Sequence, residues 1–227
     1  MRVIPESELI INADGSAFHL HLKPEQLADR VVLVGDPDRV STVASYFDTQ
    51  ECEVSSREFH TITGTYKGKR ITVVSHGIGT DNIDIVLNEL DALANIDFST
   101  RTVKPTFKQL TLVRVGTSGG LQPFVPVGTY VAAEKSIGFD GVIYFYANTE
   151  RARDTAFEAA LKEQLDWNLS GLSPYVVPAD HSLIEQITGN DIIRGVTIAA
   201  NGFYGPQGRE LRLPLADPKL NEKIEAF

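Results

Sequence analysis

Short apolar runs alternate with amphipathic stretches along most of this chain. The apolar runs end in turns that contain glycine, and they occupy residues 31–34, 71–74, 110–115 and 196–200. The stretches with apolar residues at helical spacing occupy residues 40–47, 83–94, 150–169 and 220–227. Buried strands separated by amphipathic helices are typical of α/β proteins. The pattern predicts a single α/β domain over residues 1–227, with a central mixed β-sheet flanked by helices.

Some segments lie outside this simple alternation. Residues 17–22 predict a short strand or an ordered arm, and residues 53–75 predict a β-hairpin with its turn at residues 67–69. Asp81 is expected to cap the N-terminus of the helix that follows it. Residues 97–109 are polar and contain proline, so we expect a loop there.

Composition and charge narrow the class of protein. The chain carries 21 basic and 30 acidic residues, a formal net charge of −9, which argues against a broad nucleic-acid surface. A few arginines can still form a positive pocket for a small anion. The single cysteine, Cys52, excludes an intrachain disulfide and a cysteine metal cluster. With neither a signal peptide nor an apolar run of about 20 residues, the chain predicts a cytoplasmic protein without a membrane partner.

The run that ends at Val115 has the strongest chemical character. It carries Arg114 and breaks into glycine and hydroxyl residues over positions 116–120. A buried strand that ends this way leaves backbone N–H groups free for an anion, and a guanidinium suits phosphate oxygens. The alternative is a glycine-rich turn whose arginine pairs with a carboxylate.

Three further stretches carry candidate chemistry, each with a structural alternative. Residues 35–39 (Gly-Asp-Pro-Asp-Arg) resemble an anion cradle at a helix N-terminus, or form a turn whose arginine caps a surface carboxylate. Residues 76–79 (His-Gly-Ile-Gly) bring backbone close to a ligand, or allow tight contact between helix and strand. Arg57 and Glu58 belong to a site or form an exposed pair of little energetic weight.

Residues 203–209 (Phe-Tyr-Gly-Pro-Gln-Gly-Arg) combine aromatic rings with polar side chains. The rings can stack on a flat heterocycle. Gln207 can donate and accept hydrogen bonds, and Arg209 can donate two, so together they can read a ring edge that carries carbonyl groups. The alternative is a surface loop rich in glycine and proline.

Together these stretches resemble the nucleoside phosphorylase family of the hexameric, bacterial type, and within it the uracil-binding branch, the uridine phosphorylases. The matching segments are residues 18–20, 34–39, 57–59, 77–79, 114–119 and 203–209. They follow the family order from about residue 18 to residue 210. Gly-Asp-Pro-x-Arg with Arg-x-Gly-Thr is specific to the family, and Gln-x-Arg after the aromatic pair is specific to the uracil-binding branch.

The resemblance implies an activity and its partners. The reaction would be the reversible phosphorolysis of uridine to uracil and ribose 1-phosphate, catalysed by a pentosyltransferase of pyrimidine salvage. Phosphate would be a co-substrate, and no organic cofactor is expected. The assembly would be a homohexamer built as a trimer of dimers, or at least a dimer.

The resemblance also implies a role for each matching residue. The phosphate ligands would be Gly35, Arg39, Arg57, Arg114 and Thr117. The nucleoside ligands would be His19, Ser118, Gly119, Phe203, Gln207 and Arg209. The catalytic residues among these would be Arg39, Arg114, Thr117 and Arg209. Arg57 and His19 would reach into the site of a neighbouring subunit.

The residue types fit the chemistry of this reaction. Cleavage of the glycosidic bond places positive charge on ribose and negative charge on uracil. Phosphate beneath the sugar stabilises the first charge and then captures the sugar, while donors from Gln207 and Arg209 stabilise the second. No protein nucleophile is therefore expected, and neither Cys52 nor a serine is assigned that role.

The sequence departs from the family at several positions. The family's monovalent cation site, commonly occupied by potassium, would map to Glu58 and Ile78, but Asn82 stands where a serine is expected nearby. Ser118 stands where many bacterial members carry threonine. The family's Glu-Met-Glu stretch, which grips the ribose hydroxyls, is missing, and the apolar stripe that ends at Phe227 has no helix cap. We therefore expect that the natural protein continues beyond Phe227.

Three other functions remain open at this point. A purine nucleoside phosphorylase shares the phosphate motifs. A hydrolytic nucleosidase would have no need for Arg39, Arg57 and Arg114. A truncated, non-catalytic homologue that binds uracil or phosphate, or serves in assembly, is suggested by the missing Glu-Met-Glu stretch.

Overall fold

The computed structural model describes residues 2–189 and 191–227, and these form two compact units that divide between Thr117 and Ser118. The elements of the first unit are β1 (Arg30–Val34), α1 (Pro37–Ala44), β2 (Thr49–Ser56), β3 (Phe59–Tyr66), β4 (Lys69–Ser75), α2 (Thr80–Asn95), β5 (Ile96–Asp97), β6 (Thr102–Val103) and β7 (Thr111–Val115). A single 3-10 turn, Pro24–Gln26, precedes β1. The prediction of one domain over residues 1–227 is not tested by this division and stays a prediction.

The first unit is built on a five-stranded sheet with the order β2-β3-β4-β1-β7. β1 runs parallel to both β4 and β7, whereas β2, β3 and β4 form an antiparallel meander. The predicted hairpin over residues 53–75 is thus present, and strand β2 begins earlier than residue 53, at Thr49. The mixed sheet and its helices confirm the predicted α/β class.

Different elements cover the two faces of this sheet. α1 packs on the face that carries Val34 and Val73, while α2 and residues 17–22 pack on the face that carries Leu33 and Val74. Successive residues of a strand point to opposite faces, so adjacent residues enter separate hydrophobic clusters. Residues 17–22 form the ordered arm, not the strand, because their leucine side chains are fully buried and only one isolated β-bridge involves the segment.

The N-cap prediction for α2 is wrong. The helix begins at Thr80 and its N-cap is Gly79, which has a φ of 100°. The chain turns there in a backbone region that favours glycine, so the helix starts one residue before Asp81. Asp81 lies in the first helical turn, where its charge still suits the positive end of the helix dipole.

Residues 97–109 contain more structure than the predicted loop. β5 and β6 form a two-stranded ribbon immediately after α2. Lys104 Nζ donates to the carbonyl oxygens of Leu93 and Ala94, at 3.4 and 2.9 Å, near the C-terminus of that helix. The polar side chains of the segment therefore satisfy carbonyls that lack intrahelical partners.

The second unit has its own sheet and core. Its elements are β8 (Tyr130–Gly138), α3 (Thr155–Gln164), β9 (Tyr175–Pro178), α4 (His181–Ile187), β10 (Ile192–Ala199) and α5 (Leu220–Glu225). Its single 3-10 turns are Val142–Phe145, Thr149–Ala152 and Gly205–Gln207. β8 lies between β10, to which it is parallel, and β9, to which it is antiparallel. Its fully buried core side chains include Leu161, Leu165 and Val176.

α3 is shorter than the predicted helix over residues 150–169. It begins after Asp154, whose carboxylate accepts a hydrogen bond from the Phe157 N–H at 3.0 Å. This cap places the start of the helix five residues later than hydrophobic spacing alone suggests. Among the helices of the described residues, none combines the length and the apolar composition needed to cross a membrane.

Candidate active site

The site of the first unit lies where three parallel strands end. β1 pairs in register with β4 and β7, so the last residues of the three strands stand opposite one another. The residues that follow them are Gly35, His76 and Gly116. Ligands of open α/β sheets bind beyond the carboxyl ends of the strands, and here sheet register brings three of the predicted turns to that edge.

Gly35 lies against the two polar side chains of this edge. A Cβ atom at Gly35 would stand 3.7 Å from His76 Cε1 and 3.9 Å from Arg114 Nη2. The next residue, Asp36, caps α1 by accepting a hydrogen bond from the Asp38 N–H at 2.9 Å. This carboxylate satisfies one amide of the helix N-terminus and leaves fewer N–H groups for an anion, and the anion cradle at this turn stays a prediction. The side chain of Arg39 is therefore the main cation of this turn.

Arg114 is held by a neutral partner. Its Nε–H donates to His76 Nε2 at 3.0 Å. Much of the residue is exposed, but burial around its guanidinium, and then the positive charge of Arg39, lower the pKa of Arg114. Among the described residues no carboxylate forms an ion pair with Arg39 or Arg114. Two neighbouring guanidinium groups without a counter-charge form a site for an anion.

Gly116 permits the position of the Arg114 guanidinium. A Cβ atom at Gly116 would lie 2.4 Å from Arg114 Nη1 and 3.0 Å from Arg114 Cζ, which is too close for any real side chain. The guanidinium thus folds back over the glycine that follows its own strand. Thr117 lies exposed just beyond, at the end of the first unit.

We expect Gly116→Ala to lower kcat/KM for phosphate by about 10²-fold, since it displaces the guanidinium by roughly 1 Å while the fold is preserved. The measurement is steady-state kinetics with a melting curve. Gly195→Ala is the control, because a Cβ atom there makes only an ordinary contact, 3.6 Å from Val131 Cγ1. Unchanged phosphate kinetics in Gly116→Ala would contradict the placement of the guanidinium.

Arg57 and His19 lie on one patch of the first unit. The guanidinium carbon of Arg57 is 5.7 Å from the centre of the Phe18 ring, and the Phe18 and His19 rings are 4.8 Å apart. Arg57 itself has a φ of 56°, in the tight turn between β2 and β3. The structure therefore brings together the two side chains that the resemblance assigned to a neighbouring subunit's site.

Glu89, on α2, holds His19 in place, and the sequence analysis did not identify it. Its carboxylate accepts hydrogen bonds from the backbone N–H groups of His19 and Leu20, at 3.0 and 2.9 Å, and lies 2.6 Å from His19 Nδ1. The pairing leaves the second ring nitrogen of His19 for a ligand. No local pattern could have indicated this residue, because it stands 70 positions away from His19.

The side-chain amide of Asn82 lies at the predicted cation site. Asn82 Nδ2 donates to the carbonyl oxygen of Ile78 at 3.1 Å, and Ile78 is 95% exposed. A Cβ atom at Gly77 would stand 2.7 Å from Asn82 Nδ2 and 3.0 Å from Glu58 Cγ. The structure thus groups Glu58 with Ile78 around Gly77. The Ile78 carbonyl oxygen thus already accepts one hydrogen bond, and the potassium site stays a prediction.

The second unit holds the predicted base-reading residues together. Arg209 Nη1 donates to the Phe203 carbonyl at 2.7 Å and to Gln207 Oε1. The Arg209 guanidinium stacks 4.0 Å above the Phe203 ring, a close cation–π contact. A Cβ atom at Gly119 would stand 4.0 Å from Arg209 Nη2, so Gly119 adjoins the same cluster. Ser118 lies exposed at the start of this unit.

Asn221, on α5, supports this loop, and the sequence analysis did not identify it either. Its Nδ2 donates to the Gln207 carbonyl at 3.1 Å. Gly208 has a φ of 70°, and a Cβ atom there would stand 2.4 Å from Asn221 Nδ2. A glycine is therefore required between Gln207 and Arg209, both for the backbone turn and for the approach of the helix.

Comparison with known proteins agrees with these observations. The family model described as "Phosphorylase superfamily" matches residues 29–222. The chain belongs to the phosphorylase superfamily. This superfamily member is 29% identical over 214 residues to the uridine phosphorylase of Thermococcus kodakarensis, an overlap of 94% of the chain and 63% of the relative. It is 38% identical over 152 residues to the DeoD-type purine nucleoside phosphorylase of Levilactobacillus brevis, which covers 63% of the chain and 59% of the relative.

A solved structure of the superfamily resembles the chain closely. The crystal structure of a Trypanosoma brucei nucleoside phosphorylase that shows uridine phosphorylase activity superposes with a TM-score of 0.83 at 30% identity. The match covers 96% of this chain and 78% of the trypanosomal chain. These relatives confirm the resemblance to nucleoside phosphorylases. The chain spans less than two thirds of the length of the T. kodakarensis and L. brevis relatives.

Proposed function

We propose that the protein catalyses the reversible phosphorolysis of uridine to uracil and ribose 1-phosphate. The observation that carries the proposal is that the charges of Arg39 and Arg114 act on each other at the carboxyl edge of the sheet, and that neither arginine forms an ion pair with a carboxylate among the described residues. Inorganic phosphate has the charge and the oxygen geometry that two guanidinium groups bind. Gly35 and Thr117 would complete the contacts to phosphate.

The second unit supplies the chemistry for the base. Arg209 is positioned by the Phe203 ring and carbonyl, and Gln207 keeps its amide NH₂ as a donor while its oxygen faces Arg209. These donors would stabilise the negative charge that develops on uracil as the glycosidic bond breaks. Phe203 would stack on the ring, and Ser118 with Gly119 would line the nucleoside pocket.

Phosphate would be both the nucleophile and the stabiliser of the ribose cation. Held by the arginines below the sugar, its oxygen forms the new bond to C1′ as the bond to the base nitrogen breaks. The electron pair of the breaking bond goes to uracil. No covalent intermediate with the protein is required, which agrees with the assignment of no serine or cysteine nucleophile.

The patch of Arg57 and His19 supports a shared site in a homo-oligomer. We assign Arg57 to the phosphate and His19 to the ribose 5′-hydroxyl of a neighbouring subunit, as the resemblance implies. Glu89 and Phe18 would hold both side chains ready for this contact. A dimer is the smallest assembly that satisfies the proposal, and the family resemblance favours a hexamer. The cytoplasmic location and the role in pyrimidine salvage also stay predictions.

The deciding assay follows uracil absorbance with uridine as substrate, with and without phosphate. We expect uracil only when phosphate is present. Release without phosphate would indicate a hydrolytic nucleosidase. No release under either condition from the intact full-length gene product would favour the non-catalytic alternative and reject our proposal.

A purine nucleoside phosphorylase is the second candidate, because the L. brevis relative is one and shares 38% identity. Inosine is the test substrate. Release of hypoxanthine with phosphate, together with no turnover of uridine, would support this candidate. We expect the opposite result, since Gln207 and Arg209 form a donor-rich edge suited to pyrimidine carbonyls.

Sharing of the site can be tested by mixing two impaired variants. Arg57→Ala and Arg114→Ala should each leave only a small residual rate of phosphorolysis, with the larger loss in Arg114→Ala. In a co-folded 1:1 mixture about a quarter of the wild-type activity should return, because about half of all paired subunits are mixed and each mixed pair holds one intact site. No recovery in the mixture, with normal assembly, would contradict the assignment of Arg57 to a neighbour.

A further inference from the structure

We propose that His76 is a positioning residue for phosphate: as a neutral hydrogen-bond acceptor, it orients the guanidinium of Arg114 and leaves its positive charge for the anion. This inference deepens the proposed function and rests on it. His76 follows β4, whereas Arg114 lies on β7, and β1 separates the two strands in the sheet. The contact therefore spans the central strand at the edge where phosphate would bind.

The protonation state of His76 follows from its partner. A guanidinium nitrogen can only donate, so His76 Nε2, at 3.0 Å from Arg114 Nε, must accept and carry no proton. The proton of the neutral ring then lies on Nδ1. Burial, followed by the charge of Arg114, also lowers the pKa of His76, which agrees with a neutral ring.

This arrangement leaves a buried polar atom without a partner. His76 is only 5% exposed, and no described group accepts a hydrogen bond from Nδ1 in normal geometry. An unsatisfied buried donor is unfavourable for stability, and such groups are rare in folded proteins. The presence of an imidazole at position 76 is therefore better explained by its Nε2 contact with Arg114 than by a contribution to core stability.

A neutral acceptor has an advantage over a carboxylate at this position. A carboxylate would also orient Arg114, but it would neutralise the guanidinium and compete with the incoming anion. The imidazole uses only the Nε–H, so both terminal nitrogens of Arg114 stay free for phosphate oxygens. Arg39 adds to this effect, since its charge is also left without a carboxylate partner in the described part of the chain.

The test uses three substitutions of His76 in the full chain. His76→Gln keeps an acceptor at a similar distance from the backbone, His76→Leu removes the acceptor, and His76→Glu is isosteric with glutamine but charged. We measure the affinity for inorganic phosphate by calorimetry, and the KM for phosphate, the KM for uridine and kcat by kinetics. Melting curves report the stability of each variant.

We expect phosphate affinity within about threefold of the wild type for His76→Gln, about tenfold weaker for His76→Leu, and about 10²-fold weaker for His76→Glu. The KM for uridine should change little in all three variants. Similar phosphate affinities for the glutamine and glutamate variants would overturn the proposal, because a carboxylate paired with Arg114 has to compete with the anion for the guanidinium. Wild-type affinity in His76→Leu would overturn it as well.

Calorimetry separates this inference from the proposed function. If the protein binds phosphate but does not cleave uridine, the proposed reaction fails while the ranking of the three variants still tests His76. If phosphate binds and uridine is cleaved but the ranking is absent, only the role of His76 fails. Absence of any phosphate binding by the wild-type protein would reject both.

Discussion

Replacing Arg114 with alanine is expected to lower kcat/KM for phosphate by about 10³-fold, the largest effect on activity of any substitution proposed above. The change removes the guanidinium that donates to His76 and leaves the charge of Arg39 without its neighbouring cation. It also removes charge that acts on phosphate in the transition state, so kcat falls along with affinity. Steady-state kinetics at varied phosphate concentration is the measurement.

Two further variants show whether charge or geometry is responsible. Arg114→Lys keeps the charge but loses the planar fork, and we expect it to recover only about tenfold of the loss. Arg30→Ala is the matched control, because Arg30 is an exposed arginine at the opposite end of the neighbouring strand β1. A loss in Arg30→Ala equal to that in Arg114→Ala would show that general electrostatics, not a phosphate site, explains the effect.

Replacing Glu158 with alanine is expected to lower the free energy of unfolding by about 3 kcal/mol, because it removes a buried carboxylate and leaves its partner, the partly buried Arg153, without a counter-charge. Glu158 and Arg153 form a bidentate ion pair. Arg153 Nε donates to Glu158 Oε1 at 2.8 Å and Arg153 Nη2 donates to Glu158 Oε2 at 2.5 Å, and the two side chains are only 12% and 4% exposed, respectively. The carboxylate also accepts a hydrogen bond from the Val176 N–H at 2.9 Å, which ties α3 to β9. Denaturant unfolding of both proteins is the measurement.

The control for this prediction is Glu185→Ala in the same unit. Glu185 pairs with Arg194 at 2.7 Å, but the two side chains are 49% and 36% exposed. Exposed ion pairs contribute about 0–1 kcal/mol, so this variant should lose far less stability. Equal losses of stability in the two variants would contradict the prediction that the Glu158–Arg153 ion pair contributes more than the Glu185–Arg194 ion pair.

The same pair makes stability depend on pH in a definite direction. Burial on its own raises the pKa of Glu158, but the hydrogen bonds from Arg153 and from the Val176 N–H outweigh it and hold the pKa below the ordinary value. A carboxyl whose folded pKa is lowered stabilises the protein above its unfolded pKa of about 4.3, and the contribution is lost as pH falls through the folded value. The difference in stability between wild type and Glu158→Ala should therefore shrink in acid.

The sequence indicated which turns follow the strands of this sheet, because glycine stops and strand patterns are local signals. Gly35, Arg114 and Gly116 were singled out from the ends of apolar runs, and the register of β1 with its neighbours places them together. The sequence was less informative about the helix ends. Asp81 looked like a cap, yet the positive φ of Gly79 decides where α2 begins.

Side-chain partners were the part that the sequence did not reveal. Residues 76–79 were noted for their glycines, and the imidazole of His76 was not assigned a role. The sequence carries no signal that singles out Asn221 or Glu89. Each acts on a residue of another element, so no periodicity along the chain contains the information.

By itself, the sequence indicated the main strands and helices of the first unit, the glycine stops at the strand ends and the arginines that follow or precede them. These depend on interactions between residues close in the chain, such as alternation, spacing and backbone freedom. Only the tertiary structure decided that Arg114 contacts a neutral histidine and not a carboxylate, and that Glu89 holds His19. These pairs lie 38 and 70 positions apart, and sheet register or helix packing, which depend on the whole unit, bring them together.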